Sequence, residues 1–186
     1  MEISIPKEVL LLHRLCAKAT EEGTPGMARM RLFFNKAEGR AQVSNGKIAC
    51  EVTWSDPEYG LDGDAQVTLL GHEAKYLEKM ATDAPVFYNH EEQTFSCGGF
   101  ALPATPPKQK EFAFLDEALD GALKGLEPKA VKGMQFALKD IKTLVDIASK
   151  LGLDVPFVFY GDKRPACLEM EKAEIAYRFL MVPRTN

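Results

Sequence analysis

Little in this sequence suits catalysis or metal binding, and each scarcity excludes something. Histidine occurs three times in 186 residues, and His13, His72 and His90 each stand alone. HEAKYLEK at 72–79 lacks the second histidine of a zinc-protease helix. The four cysteines, Cys16, Cys50, Cys97 and Cys167, never form a C-x-x-C pair. Their apolar contexts (RLCAKA, IACEV, FSCGG, PACLEM) favour buried free thiols over disulfides or metal ligands. The glycines nowhere form a phosphate loop. NHEE at 89–92 reads as a solvated turn, and SCGG at 96–99 as a strand end, because no partner for a nucleophile can be named. No enzyme site, metal or cofactor is expected. No apolar run approaches the roughly 18 residues of a membrane span. The opening MEISIPKEVLLLHRLC has an acid at position 2 and no basic n-region, so a cytoplasmic protein without a membrane partner is expected.

What is present fits an ordinary globular chain, with 46% hydrophobic and 27% charged residues. The length suits one to two domains with a real core. A net charge of −4 argues against a surface that coats nucleic acid everywhere. It leaves room for a local basic face, because binding follows the distribution of charge and not its sum.

Along the chain, ISI at 3–5 predicts a short strand. Pro6 then suits a first helical position, and a helix to about Ala19 buries Val9, Leu10, Leu12, Leu15 and Cys16 while Lys7, Arg14 and Lys18 lie opposite. Glu21 to Gly26 stops it. RMRLFFNK, RAQVSNG and KIACEVTW alternate with period two and predict a meander, with Asn45-Gly46 as a type I′ hairpin signal. Residues 56–63 read as a loop. AQVTLL at 65–70 is a strand feeding a helix whose inner stripe is Ala74, Leu77, Met80 and Ala81, with His72, Lys75 and Lys79 outside. VFYNHEEQTFSCGGFALPA predicts two strands about a turn at Asn89–Gln93. PATPPKQKE at 103–111 is the best linker. Phe114 to Leu126 predicts a helix with an acidic side (Asp116, Glu117, Asp120), weakened by Gly121 and Gly125.

The last third repeats the scheme. Met134, Phe136 and Leu138 alternate. Lys139 to Leu151 predicts a helix with Ile141, Leu144, Val145, Ala148 and Leu151 inside and Lys139, Lys142 and Lys150 outside, stopped by Gly152. VPFVFYG, ACLEME and IAYRFLMV predict strands. Three units of strand, basic-faced helix and strands make an internal repeat. One lysine-faced helix is commonplace, but three in a chain with 27 acids and 23 bases place the acids elsewhere.

The ending, LKDIKTLVDIASKLG, VPFVFYGDKRPACLEMEK and AYRFLMVPR, resembles the final half-domain of the DNA sliding clamps, the family of the bacterial DNA polymerase III beta subunit and proliferating cell nuclear antigen. SNGKIACEV resembles the family's hairpin, LLGHEAKYLEKM its second helix, and FALPA the end of a domain. The resemblance implies an α+β fold of clamp-like repeats, antiparallel sheets with helices on one face. It divides the chain into a clamp-like domain at 1–105, a linker and acidic helix at 106–133, and a partial second domain at 134–186. It implies a non-catalytic processivity factor that holds duplex DNA without reading sequence, through Lys7, Arg14, Lys18, Lys75, Lys79, Lys139, Lys142 and Lys150. A polymerase or clamp loader would dock a short peptide motif in a hydrophobic pocket near Val182, Pro183 and Arg184. A homo-oligomeric ring is one outcome. The alternative is a clamp-fold protein-interaction module that does not encircle DNA, and MVPR also reads as a last strand with a frayed end.

Overall fold

Two antiparallel sheets are built by exchanging strands between the sequence repeats. The computed structural model of the protein describes residues 2–16, 25–35, 38–55, 63–108, 111–131 and 134–184. Strand β1 (Glu2–Ile5) leaves its own repeat and pairs with β6 (Val86–Asn89), which continues through β7 (Thr94–Cys97) to β8 (Phe100–Pro103). Reciprocally, β5 (Ala65–Leu70) joins β2 (Arg29–Phe34), β3 (Glu38–Ser44) and β4 (Ile48–Ser55) of the first repeat. The third repeat then adds β10 (Ile175–Met181) to β4 and β9 (Ala166–Lys172) to β10, giving a six-stranded sheet of order β5-β2-β3-β4-β10-β9. Seven register pairs, Ile175–Trp54 to Met181–Ile48, stitch the end of the chain to its beginning.

Period-two alternation decides what each sheet buries. In β4, Ile48, Cys50, Val52 and Trp54 face inward, and Phe179 and Met181 of β10 continue that layer. The ring of Trp54 lies over Gly39, where an added Cβ would overlap indole atoms Cε2 and Cζ2, so only glycine leaves room. The helices cover the same side. Helix α1 (Lys7–Leu10) runs on as a 3₁₀ turn, Leu11–Leu15, and α2 (Gly71–Met80) lies beside it. There His13 Nε2 and Glu78 Oε2 are 3.2 Å apart, and Lys7 Nζ donates to Thr82 Oγ1 at 3.3 Å. The α1 segment also packs on α4 (Leu138–Leu151), so it stands between the other two helices. Leu10, Leu12, Leu15, Leu77, Leu144 and Ile147 share one core with the inner faces of both sheets.

Local rules account for the helix ends. Glu73 turns back so that its carboxylate accepts the Leu70 N–H at 2.8 Å, satisfying one of the donors a helix start leaves over. Gly152 ends α4 in the left-handed region at φ 64°, as a C-terminal glycine should.

Several expectations need correction. The first helix is α-helical for only four residues before tightening to 3₁₀, and Cys16 is already extended, while residues 17–24 lie outside the described ones. The β3–β4 hairpin forms, but its loop has three residues. Gly46 takes positive φ, and the Asn45 side chain accepts the N–H groups of Lys47 and Ile48 in place of a type I′ turn. Residues 86–103 hold three strands, because Gly98 and Gly99 at φ 55° and 82° open a second turn. Residues 134–137 lie outside both sheets, and 155–160 make one bridge, Val158 with Cys167, where a strand was expected. In α4, Ile147 is buried and Val145 is 46% exposed, which reverses the expected inner position of Val145. The acidic helix is a short α3 (Ala113–Asp116) followed by a π turn, Glu117–Gly121, with Gly125 at φ 72°.

Candidate nucleic-acid and partner interfaces

Each helix turns its apolar stripe to the core and its lysines to solvent. On α2, Ala74 and Leu77 are buried while Lys75 and Lys79, one turn apart, are exposed. On α4, Leu144, Ile147 and Leu151 are buried while Lys139, Lys142 and Lys150 are exposed. Lys7 and Arg14 are exposed on the α1 segment, and Lys18 lies outside the described residues. The structure therefore brings the three basic helices together in one layer. Among the described residues, no ion pair joins any of these seven side chains to a carboxylate. Asp146, exposed on α4 one turn from both Lys142 and Lys150, reduces the positive field of that helix.

The opposite, outer face of the six-stranded sheet is different. Its arginines are engaged: Arg29 with Glu111 at 3.3 Å, Arg40 with Glu51 at 3.6 Å, Arg178 with Glu169 at 3.5 Å, and Arg31 with Asp116. Here α3 and its π turn lie on the sheet, with Phe112, Leu115, Leu119 and Leu123 closing a second apolar cluster over Ala49, Cys167 and Leu180. Arg31 is only 6% exposed, sandwiched with its Cζ 4.8 Å from the ring centres of both Phe33 and Phe112. Its Nε donates to Gln42 Oε1 at 3.1 Å and its Nη1 to Asp116 Oδ2 at 3.3 Å. Arg178 Nη1 donates to the Leu119 carbonyl at 3.1 Å. The acidic side of this helix, which would repel DNA, is thus on the far side of the sheet from the lysines. Sequence reasoning missed Arg31. Its outward place in an alternating strand was readable, but its partner lies 85 residues away.

The tail residues extend β10. The Val182 N–H donates to the Lys47 carbonyl at 2.8 Å, so the ladder with the β3–β4 loop continues, and the Arg184 N–H donates to the Gln135 carbonyl at 2.7 Å. Val182 is 43% exposed, two residues beyond Leu180 on the outer face. Pro183 is buried and Arg184 exposed. None of the three lines the groove of about 430 Å³ between Glu51, Thr53, Glu169, Glu171 and Arg178.

Burial pushes the Cys16 thiol up to about 12 and also raises Cys50 well above its ordinary value, so both are inert. All four cysteines are free. Burial also lowers His13 below its ordinary value, against the opposing pull of Glu78. Among the described residues, no group of three or more His, Cys, Asp or Glu could hold a metal ion, and no helix is long and apolar enough to cross a membrane.

No family model and no curated protein matches this chain in sequence. Solved structures do match, over its whole length. A DNA polymerase sliding clamp from Pseudomonas aeruginosa superposes with a TM-score of 0.61 at 14% identity, the chain covering 66% of it. A putative DNA polymerase III beta subunit from Eubacterium rectale gives 0.66 at 10% identity, again with 66% of that protein covered. The chain therefore has the fold of the DNA sliding clamps. That likeness takes in both branches, because A. fulgidus PCNA, solved with the C-terminal region of FEN-1 bound, gives 0.61 at 10% identity with 98% of it covered. The chain spans just under two thirds of the bacterial clamps it matches.

Proposed function

We propose that this chain is a non-catalytic, sliding-clamp-like processivity factor that holds duplex DNA against its helix layer. The observation that carries the reading is the adjacency of α1, α2 and α4, whose exposed lysines lack carboxylate partners among the described residues of a chain with a net charge of −4. Lys7, Arg14, Lys18, Lys75, Lys79, Lys139, Lys142 and Lys150 contact phosphates, which fixes position without reading bases. Residues 1–105 form a clamp-like domain, 134–186 part of a second, and 106–133 join them. A polymerase or clamp loader docks a short peptide near Val182, Pro183 and Arg184, and the protein works in the cytoplasm. Charge reversal at Lys75 and Lys79 tests the DNA contact: the variant should lose most of its low-salt affinity for duplex DNA, whereas undiminished binding by a folded variant removes that role from α2.

One observation favours a second reading, a clamp-fold interaction module that does not encircle DNA. Between β8 and α4 the described residues hold α3 and its π turn but no strand of a further sheet. Mass in solution separates the two: encirclement requires a multiple of 20.6 kDa at micromolar concentration, and the module remains at 20.6 kDa.

A further inference from the structure

The α3 segment is attached to the sheet in a way that sets it apart from every other helix. Its four apolar residues, Phe112, Leu115, Leu119 and Leu123, recur at spacings of three, four and four, the stripe of an amphipathic helix. They form a cluster separate from the main core, touching the sheet through the small or single side chains Ala49, Cys167 and Leu180. Its hydrogen bonding is irregular: an α-turn passes into a π turn, and the run ends at Gly121 and Gly125. Such a π turn and two glycines keep the helix weak in isolation. Apolar packing is joined by complementarity of charge. Glu111 and Asp116 meet Arg29 and Arg31, while Glu117 and Asp120 face solvent.

We infer that the outer face of the six-stranded sheet is a docking surface for an acidic amphipathic helix, and that α3 is the chain's own occupant of it, displaceable by a partner segment of the same pattern. The surface that α3 covers carries what such a helix needs: apolar ground at Ala49 and Leu180, the Phe33 ring, and the cations Arg29, Arg31 and Arg178. Arg178, already donating to the Leu119 carbonyl, anchors the main chain of whatever helix lies there. Val182, exposed two residues past Leu180, extends the apolar ground beyond the end of α3. On release, Arg31 keeps Gln42 and the Phe33 ring and regains water, so no cation is stranded in an apolar interior. The inference is independent of the DNA contact, because the lysine helices lie on the other side of the sheet.

The test uses the full chain and a fluorescein-labelled peptide of residues 111–126. The variant Leu115→Ser/Leu119→Ser, whose own helix cannot dock, should bind the peptide at least tenfold more tightly than the unaltered protein, and an Asp116→Lys peptide should lose that gain. Equal binding to both proteins, or none to a variant that keeps its β-sheet circular dichroism, overturns the inference. Hydrogen exchange on the unaltered chain decides the matter if the variant fails to fold. The amides of Leu115 and Ala122 should exchange at least a hundredfold faster than those of β4 and β10, and exchange in step with the sheet overturns the proposal.

Discussion

The guanidinium of Arg31 in β2 donates to the carboxylate of Asp116 in α3, and the two ends of that bond are unequally buried: the Arg31 side chain is 7% exposed and that of Asp116 51%. The inequality ranks the two deletions. Arg31→Ala removes a group packed between two aromatic rings, each contact of this kind being worth about 0.5–2 kcal/mol, and leaves Gln42 short of a partner. Asp116→Asn leaves Arg31 with Gln42 and both rings, and half-exposure screens the lost charge, so the cost is about 1 kcal/mol or less. Urea denaturation should show Arg31→Ala as clearly the more destabilising, and the reverse order contradicts this account of how α3 is held.

Gly39 and Trp54, the single tryptophan, report on packing between β3 and β4. A methyl group at position 39 collides with the indole, and overpacking of this kind costs roughly 1–3 kcal/mol. Gly39→Ala should lower the unfolding midpoint and shift the tryptophan emission to the red as the ring is pushed outward. An unchanged spectrum and midpoint would show that the strands yield freely there.

Stability should depend on pH through His13. Its folded-state value lies below the ordinary 6.5, with burial the largest cause, so the unfolded chain binds the proton more readily. The unfolded state therefore takes up more protons as pH falls through about 6.5, and stability drops from there down to the lowered folded value. Well above 6.5 the histidine is neutral in both states and contributes no slope. His13→Gln should flatten the stability profile as pH falls below about 6.5, and an identical slope would mean another group carries it.

Much of this architecture could be read from the sequence, and what could not has physical causes. β2, β3, β4 and β5 are clear because each has one buried face and the alternation of Met30, Leu32 and Phe34, or Ile48, Cys50 and Val52, follows from it. α2 and α4 are clear because their apolar stripes are long. The strands expected at 134–138 and 155–160 alternate equally well but do not enter a ladder, since alternation reports burial and not the presence of a pairing strand. The exchange of β1 and β5 between repeats, and the pairing of β10 with β4, are long-range facts that no local pattern encodes. For the candidate interfaces, the lysines were legible as solvent sides of amphipathic helices. Arg31 was not, because a buried arginine is recognisable only once Phe112 and Asp116 are seen to cover it.

Gly152 gives a further check on α4. Its φ of 64° favours glycine, and an added Cβ would crowd Lys172 Nζ, which donates to the Leu151 carbonyl. Gly152→Ala should cost about 1 kcal/mol through the left-handed backbone, seen as a lower thermal midpoint. No change would mean the helix end adjusts without penalty.

The most direct test of the central claim is the salt dependence of binding to duplex DNA. Two duplexes of unrelated sequence should bind alike, with log K falling against log salt at a slope of about −4 or steeper, since each neutralised phosphate contributes roughly −0.9. Reversing Lys75, Lys79, Lys139 and Lys142 to glutamate should abolish that binding while leaving the circular dichroism unchanged. Absence of binding at low salt by the unaltered protein, or binding that survives the four reversals, would contradict a helix layer built to hold DNA.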